Sequence, residues 1–363
     1  MPTRVRSYSK INLGLAIGPA RPDGFHGLTT LYQTLDLHDL VIVRARRAAE
    51  TRITLISNHP FVPVDNRNTA WRMVASCLER LGITAEVEVT IEKNLPVQGG
   101  IGGGSGNAVA ALLGLERELN VALPGVQRLE LAAEIGSDVP LFLLGGAVVG
   151  LGRGELVIPM PDLPRTHCVV AVPSVGVSTA GAYKDWDVRY AEEAAEATTL
   201  TSAPKLDKLN ELSLAYASLS AVTGNSKPGT SGILRDPIPA NPEKKRDLPD
   251  TNRTVSQNDL AENTLLALVR TGIGSDGLHN DFEDVVFPQY PSLRETKRQL
   301  MGSDSGSPAL YAALSGSGSA LFGLYRSEAD AKAAQQRVQA HGVKALLTET
   351  LPRADYWARM FAG

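Results

Sequence analysis

The sequence predicts an α+β fold in two domains, and three observations support this. The chain has 363 residues, more than one hydrophobic core usually contains, so two domains are expected. Six glycines fall in the eight residues 99–106, between a period-two apolar pattern and a helical one. Near the C terminus, a strand, a helix and another strand are predicted within residues 320–349.

The N-terminal region is predicted to be rich in strands. Alternating or β-branched patterns predict strands at 4–17, 28–37, 40–43 and 53–56. A helix should follow, with Trp71 and Leu81 on its apolar face, an N-cap at Asn66 or Asn68, and its end at Gly82. We assign residues 1–160 to this first domain.

The glycine-rich stretch predicts a phosphate site. A half-buried strand at 86–93 precedes it, and a helix with apolar spacing from Ala108 follows it. Backbone without Cβ atoms can approach phosphate closely, and free N–H groups at a helix start point towards it. Neither a Walker loop nor the dinucleotide fingerprint fits, because position 105 is serine in both alignments. The alternative is a flexible surface turn.

Two charged residues stand out as candidates for chemistry. Lys10 and Asn12 share one face of the first strand, opposite its apolar face, although Lys10 would also fit an edge or solvent position. Asp138 precedes the apolar run 139–144, where a buried carboxylate needs a partner or a catalytic task. Asp138 would also serve as the N-cap of a short helix from Pro140, and the two roles are compatible.

The second half is predicted as a domain at 161–363 with an insertion at about 198–256. Strands are expected at 147–151 and 156–158, at the end of the first domain, and at 168–172 in the second, with helices at 206–222, 259–270 and 292–300. A second glycine-serine loop at 315–319 precedes the C-terminal strand-helix-strand unit. The insertion is rich in Pro, Gly and Ser, which favours a solvated segment.

Composition excludes several functional classes. The net charge of −3 argues against a nucleic-acid partner. No apolar run reaches the roughly 20 residues that a membrane helix needs, so we expect no membrane association. The two cysteines lie in apolar runs without metal-type spacing, which suits a reducing cytoplasm. Two glycine loops, a lysine and an aspartate are instead the parts that phosphoryl transfer requires.

Five motifs of the chain resemble those of the GHMP small-molecule kinases, at residues 9–13, 21–26, 93–107, 136–140 and 314–318. The resemblance extends over most of the chain. It implies an N-terminal domain like domain 2 of ribosomal protein S5 and a C-terminal ferredoxin-like α/β sandwich. It also implies ATP and Mg²⁺ as cosubstrate and cofactor, and a small-molecule alcohol as acceptor, in a monomer or weak homodimer.

The resemblance also implies residue roles. Lys10 polarises the acceptor hydroxyl and Asp138 is its base or orienting group, while Ser105 is a metal ligand. Residues Asn66, Lys93, Gly100, Gly102, Gly103, Gly104, Ser105, Gly106 and Asn107 bind ATP, and Ser315, Gly316, Ser317 and Gly318 form the third motif. Asn12 and His26 contact the acceptor, and Phe25 and Tyr183 lie on either side of its base.

Within this resemblance, the element at 23–26 is the more discriminating one and implies an acceptor with a diphosphocytidyl group. Gly106 stands where the family usually has a second serine, and Phe25 where it has tyrosine. Two alternatives stay open: another GHMP kinase acting on mevalonate or homoserine, and a non-catalytic ligand-binding protein on this fold.

Overall fold

The computed structural model describes residues 1–21, 24–97, 99–197, 278–303 and 305–363. The predicted insertion at 198–256 lies outside the described residues, as do the helices predicted at 206–222 and 259–270. Pro22 and Asp23 of the acceptor motif and Gln98 of the glycine-rich stretch also lie outside them.

The first sheet has seven described strands: β1 Thr3–Ala20, β2 His26–Arg47, β3 Arg52–Ser57, β4 Ala85–Glu92, β5 Ala147–Gly152, β6 Leu156–Pro159 and β11 Phe361–Ala362. Its core order is β11-β1-β2-β4-β3, with β5 beside β2 and β6 beside β5, so β2 is the central strand. All pairs are antiparallel except β3 with β4.

The prediction of separate strands at 28–37 and 40–43 is wrong, because β2 runs unbroken for 22 residues. The register with β1 jumps from Tyr8↔His38 to Ser9↔Leu35, so a bulge takes up Asp36 and Leu37. His38 and Asp39, which separate the two predicted strands, pair with Tyr8 and Ser7 and so belong to β2. This length lets β2 pair with β4 at one end and β5 at the other.

Three helices belong to the first half of the chain: α1 Thr69–Leu81, α2 Gly103–Leu119 and α3 Gly125–Ile135. Helix α2 packs on β1 and β2, α1 packs on α2 and β3, and α3 packs on α1. Asn68 is the N-cap of α1 and accepts from the Ala70 N–H, and Gly82 ends the helix at φ 61°. The predicted start of α2 at Ala108 is five residues late. Its first turn is glycine apart from Ser105, yet it is helical, because the Gly106 N–H donates to Gly102 O at 2.9 Å.

The described elements of the second half are β7 His167–Val172, α4 Thr179–Ala197, α5 Glu283–Gln289, α6 Pro291–Met301, β8 Tyr311–Leu314, β9 Leu321–Tyr325, α7 Glu328–Ala340, β10 Lys344–Glu349 and α8 Arg353–Ala358. The four strands form a second, fully antiparallel sheet in the order β10-β7-β9-β8. This is the ferredoxin-like arrangement, so the predicted α+β fold class is confirmed. The short helix α5 was not predicted, because it has seven residues and contains Pro288.

An apolar cluster joins the two sheets, with Leu13 and Val149 from the first and Val170 and Phe322 from the second. The C-terminal strand β11 returns to pair with β1 in the first sheet. The domain boundary at residue 160 stays a prediction. Within the described parts of the chain, no helix combines the length and the apolar character that a membrane crossing requires.

The packing of α2 on β2 depends on Gly114, and this can be tested. A Cβ at Gly114 would lie 2.5 Å from Val43 Cγ2, whereas a Cβ at Gly125 of α3 would meet nothing within 4 Å. We expect Gly114→Ala to lower the free energy of unfolding by about 1–3 kcal/mol, because a tightly packed core resists an added methyl group. Gly125→Ala is the matched control, with a change of about 1 kcal/mol or less in either direction. Urea unfolding measures both, and equal losses would contradict the packing described.

Candidate active site

The glycine segment, residues 99–107, joins β4 to α2 and changes direction through left-handed backbone. Gly99, Gly100 and Gly102 have φ values of 110°, 78° and 77°. Gly102 is the N-cap of α2 and has no side chain to bond the free N–H groups of the first turn. The segment lines a cavity of about 360 Å³, together with Lys93, Arg67, Asn68 and Thr69. This helix start is therefore suited to an anion.

The predicted ATP residues divide between the cavity and its surroundings. Of these residues, Lys93, Gly100, Gly102, Gly103, Gly104, Ser105 and Asn107 line the cavity. Gly106 faces β1 instead, where a Cβ would lie 2.7 Å from Tyr8 O. Asn66 is exposed in the loop before α1, beside the lining residues Arg67 and Asn68. The substitution of glycine for the family's usual serine thus falls where helix and strand touch.

The third motif lies directly against the glycine segment. The Ser315 hydroxyl donates to Gly100 O at 3.1 Å, and the Ala320 N–H donates to Gly99 O at 3.1 Å. A Cβ on Gly100 would overlap Ser315 O. The amide of Asn280, which is fully buried, donates to Leu314 O and Gly316 O at 2.8 Å each. The two glycine loops, far apart in the sequence, therefore contact each other directly.

Lys10 and Asp138 form an ion pair beside the glycine segment. Lys10 is 2% exposed, and its Nζ lies 3.2 Å from Asp138 Oδ2 and donates to Asn12 Oδ1 at 2.7 Å. Asn12 in turn donates to Thr30 Oγ1 at 2.8 Å. A Cβ on Gly102 would lie 2.9 Å from Lys10 Cγ, so the glycine segment packs on the lysine stem. Lys10 is therefore not an edge or solvent lysine.

Asp138 has a second partner in Tyr32, whose hydroxyl donates to Asp138 Oδ1 at 3.0 Å. The Asp138 side chain is 34% exposed, so it is open on one side. The 3₁₀ turn Pro140–Leu143 that follows has Val139 as its N-cap and no side-chain cap bond. The alternative role of Asp138 as a helix N-cap is thus not found, and the carboxylate is available for chemistry.

Lys93 is held by Asp39, a residue that the sequence analysis missed. Asp39 is fully buried. The ammonium of Lys93, a side chain that is 5% exposed, donates a hydrogen bond to Asp39 Oδ2. Asp39 Oδ1 accepts from the backbone N–H groups of Asn94 and Leu95, at 2.8 and 2.7 Å. One carboxylate therefore fixes the chain where β4 enters the glycine segment. The sequence gives no local sign of these partners, because they lie more than 50 positions from Asp39. The one signal for its burial is the apolar run Leu40–Val43 that follows it.

The predicted acceptor residues lie around β2 and α4. His26 Nδ1 lies 3.0 Å from Gly18 O, and its Nε2 lies 3.2 Å from Asp187 Oδ1. The imidazole stacks on Tyr183, with ring centroids 5.1 Å apart and planes at 13°. Burial, and then the negative charge of Asp138, raise the pKa of Tyr183 to about 12. His26 and Tyr183 are thus brought together.

Phe25 is 49% exposed, and the Arg153 guanidinium lies 4.8 Å from its ring centroid. Because the structure stacks Tyr183 on His26, the placement of a base between Phe25 and Tyr183 stays a prediction. A cavity of about 720 Å³ extends from Gly99 and Gly100 to residues 172–179 and to Gly318–Ser319. In this cavity the glycine segment and the third motif share one opening.

The Asp39–Lys93 pair is expected to stabilise the chain between the end of β4 and the glycine segment. Asp39→Asn leaves the Lys93 ammonium buried without a counter-charge, so we expect the free energy of unfolding to fall by about 3–5 kcal/mol. Glu88→Gln is the control, because it breaks an exposed strand pair with Arg44 (side chains 43% and 64% exposed) and should change stability by about 1 kcal/mol or less. Urea unfolding compares the two. A loss in Asp39→Asn no larger than in the control would contradict a structural role for the buried pair.

Known protein families match both halves of the chain. The GHMP kinases N terminal domain model matches residues 68–146, and the GHMP kinases C terminal model matches residues 262–344. A 4-diphosphocytidyl-2-C-methyl-D-erythritol kinase from Gloeobacter violaceus is 35% identical over 91% of this chain and 88% of its own. One from Solibacter usitatus is 32% identical, over 89% of this chain and 81% of its own.

Solved structures share the fold. A crystal structure of 4-(cytidine 5'-diphospho)-2C-methyl-D-erythritol kinase matches with a TM-score of 0.62 and 23% identity, over 96% of this chain and 99% of the other. Homoserine kinase from Cytophaga hutchinsonii matches with a TM-score of 0.58 and 18% identity, over 96% and 95%. Sequence identities this low show only that the fold is shared. The two kinases from Gloeobacter violaceus and Solibacter usitatus are more than 30% identical over most of this chain. The chain therefore belongs to the GHMP kinases and, within them, to the family of the 4-diphosphocytidyl-2-C-methyl-D-erythritol kinases.

Proposed function

We propose that this protein transfers the γ-phosphoryl group of ATP to the 2-hydroxyl of 4-diphosphocytidyl-2-C-methyl-D-erythritol. The products are the 2-phosphate and ADP, in the non-mevalonate route to isoprenoid precursors. The observation that carries the proposal is the ion pair of the buried Lys10, which packs on the glycine segment, with the partly exposed Asp138, 3.2 Å away. The relatives' names support the choice of acceptor.

The ion pair supplies what an attacking hydroxyl needs. Asp138, open on one side, accepts the proton of the acceptor hydroxyl, and the oxygen forms its bond to the γ-phosphorus. The bond from that phosphorus to the bridging oxygen breaks, and ADP leaves with the electron pair. The Lys10 ammonium lies beside the developing charge and polarises the hydroxyl. Because both groups are already fixed in place, little reorganisation is required during transfer.

The glycine segment binds the phosphates in this proposal. The first N–H groups of α2 face the cavity without a capping side chain, and the left-handed glycines bring the backbone close to the anion. Lys93 lines the cavity while paired with Asp39, so it contributes shape and position there. The contact of Asn66 with adenosine rests on the family resemblance alone.

Mg²⁺ fits the residues present. The described residues contain no cluster of three metal-binding side chains, and Mg²⁺ in kinases is held mainly by phosphates, waters and one or two protein oxygens. Ser105 lines the cavity, and among the described residues the buried Asn107 Oδ1 finds no hydrogen-bond partner. We propose Ser105 as the protein ligand. When bound, the ion offsets charge on the phosphates of ATP.

The acceptor lies, in this proposal, between Lys10 and the His26–Tyr183 stack. Asn12, held by Lys10 and Thr30, faces the hydroxyl end. His26, Tyr183 and Phe25 provide the aromatic surfaces and ring nitrogen that a cytosine base requires. The third motif, Ser315–Gly318, backs the glycine segment from the second sheet.

We also propose the compartment, the kind of partner and the assembly state of the protein. Both cysteines, Cys77 and Cys168, are free and buried, which suits the reducing cytoplasm. The net charge of −3 supports a small-molecule acceptor rather than a nucleic-acid partner. A monomer or weak homodimer is our working assembly.

An ADP-release assay with Mg²⁺ and ATP tests the acceptor. We expect turnover of the diphosphocytidyl alcohol and at most traces with mevalonate or homoserine, because only the first has a base for the aromatic surfaces. Turnover of mevalonate or homoserine alone would assign another kinase activity. Tight binding of ATP and the cytidyl compound without ADP release would support a binding protein.

Asp138→Asn tests the base directly. We expect kcat to fall about 10²–10⁴-fold, the usual contribution of general acid–base catalysis. The variant should still fold with a lower melting temperature, because the Lys10 ammonium, 2% exposed, loses its counter-charge while the amide keeps a hydrogen bond to Tyr32, so kcat is measured well below that temperature. Asp330→Asn is the control and should keep full activity, because Asp330 lies on α7 and does not line the cavity. A near-normal rate in Asp138→Asn would remove its assigned role.

A further inference from the structure

Tyr32 on β2 touches both charged groups of the site. Its hydroxyl donates to Asp138 Oδ1 at 3.0 Å, and Lys10 Nζ lies 5.5 Å from the centroid of its ring. The side chain is 2% exposed, and Tyr32 is the register partner of Asn12 across the β1–β2 pair. Cross-strand partners project from the same face of a sheet, so strand pairing places the phenol beside the catalytic lysine.

The two oxygens of Asp138 have different partners. Oδ2 lies 3.2 Å from the Lys10 ammonium, and Oδ1 accepts from the Tyr32 hydroxyl. A carboxylate held by one donor can still rotate about its terminal bond, where rotamer preferences are broad. A second donor on the other oxygen fixes that rotation. The plane of the Asp138 carboxylate is therefore set by Tyr32 and Lys10 together.

The surrounding backbone makes room for this phenol. A Cβ on Gly150 of β5 would lie 2.5 Å from Tyr32 Cε2, and a Cβ on Gly154 would lie 2.5 Å from the Tyr32 hydroxyl oxygen. Gly154 also has φ 102°, a backbone conformation that side chains other than glycine rarely adopt. The turn between β5 and β6 thus closes over the ring.

The phenol also remains a donor. Burial, followed by the charge of Asp138 and the hydrogen bond to it, holds the pKa of Tyr32 well above its usual range. The hydroxyl therefore keeps its proton throughout the pH range in which a kinase works. A neutral donor to a carboxylate forms a strong bond that is costly to lose in a buried site.

We propose that Tyr32 is a positioning residue for phosphoryl transfer, because it holds the Asp138 carboxylate in the orientation that faces the acceptor hydroxyl and Lys10. This rests on the proposed function of Asp138 as the group that receives the hydroxyl proton. Tyr32 does not touch the reacting atoms. It acts through the carboxylate, so its removal should affect the chemical step and leave substrate binding nearly unchanged.

Tyr32→Phe removes the hydroxyl and keeps the ring between Gly150 and Gly154. We expect kcat to fall about tenfold, the scale of a misplaced catalytic group, with KM for ATP and for the cytidyl alcohol within about twofold of wild type. In the Asp138→Asn background, the same substitution should change kcat by less than about twofold, because the carboxylate it orients is gone. Additive losses in the double variant, or an unchanged kcat in the single one, would overturn the proposal.

Tyr325→Phe is the matched control. Tyr325 is 1% exposed and donates its hydroxyl to Leu300 O at 2.9 Å, in the second sheet and away from Asp138. This variant should lose stability, as Tyr32→Phe does, and keep its kcat. An equal fall in kcat in both variants would assign the effect of Tyr32 to general destabilisation.

The assay also separates this proposal from the proposed function. A wild-type protein without kinase activity on the cytidyl alcohol would refute the function, whereas an active wild type with an unaffected Tyr32→Phe would refute only the role of Tyr32. A crystal structure of Tyr32→Phe gives a result independent of turnover. We expect the Asp138 carboxylate to be rotated or in two orientations, and an unchanged single orientation would overturn the proposal.

Discussion

The burial of the Lys10 ammonium is the constraint on which the rest of this site depends. An unpaired charge that is 2% exposed would be strongly destabilising, so the fold has to bring a carboxylate and further acceptors to it. Asp138 arrives from the turn after α3, and Asn12 from two residues along the same strand. The arrangement that solves this structural problem is also the arrangement that a hydroxyl nucleophile requires.

The glycines around this pair have two physical roles. Gly99, Gly100 and Gly102 adopt left-handed backbone, which frees the start of α2 for an anion. Gly100 and Gly102 also make room for the third motif and for the stem of Lys10. Phosphate binding and the packing of the two sheets therefore share the same residues. This sharing explains why a glycine-rich segment is ordered here and is not a flexible surface turn.

The sequence predicted the local parts of the site, and three-dimensional contacts supplied the rest. Periodicity identified the strand, the loop and the helix around 99–107, and it placed Lys10 and Asn12 on one face. It missed the early start of α2, because tertiary packing overrides the weak helix propensity of glycine. Asp39 and Tyr32 escaped notice because a buried polar residue in a strand carries no local sign of its partner. The acceptor residues came from family resemblance, and their arrangement around a base was not predictable from spacing.

The most direct test is a crystal structure with a non-hydrolysable ATP analogue, Mg²⁺ and the diphosphocytidyl alcohol. The account predicts the γ-phosphate against the glycine segment and the 2-hydroxyl oxygen within about 3.2 Å of both an Asp138 oxygen and Lys10 Nζ. The hydroxyl should point at the γ-phosphorus on the side opposite the bridging oxygen. A complex in which the 2-hydroxyl lies away from the pair, or in which another carboxylate contacts it, would contradict the central claim.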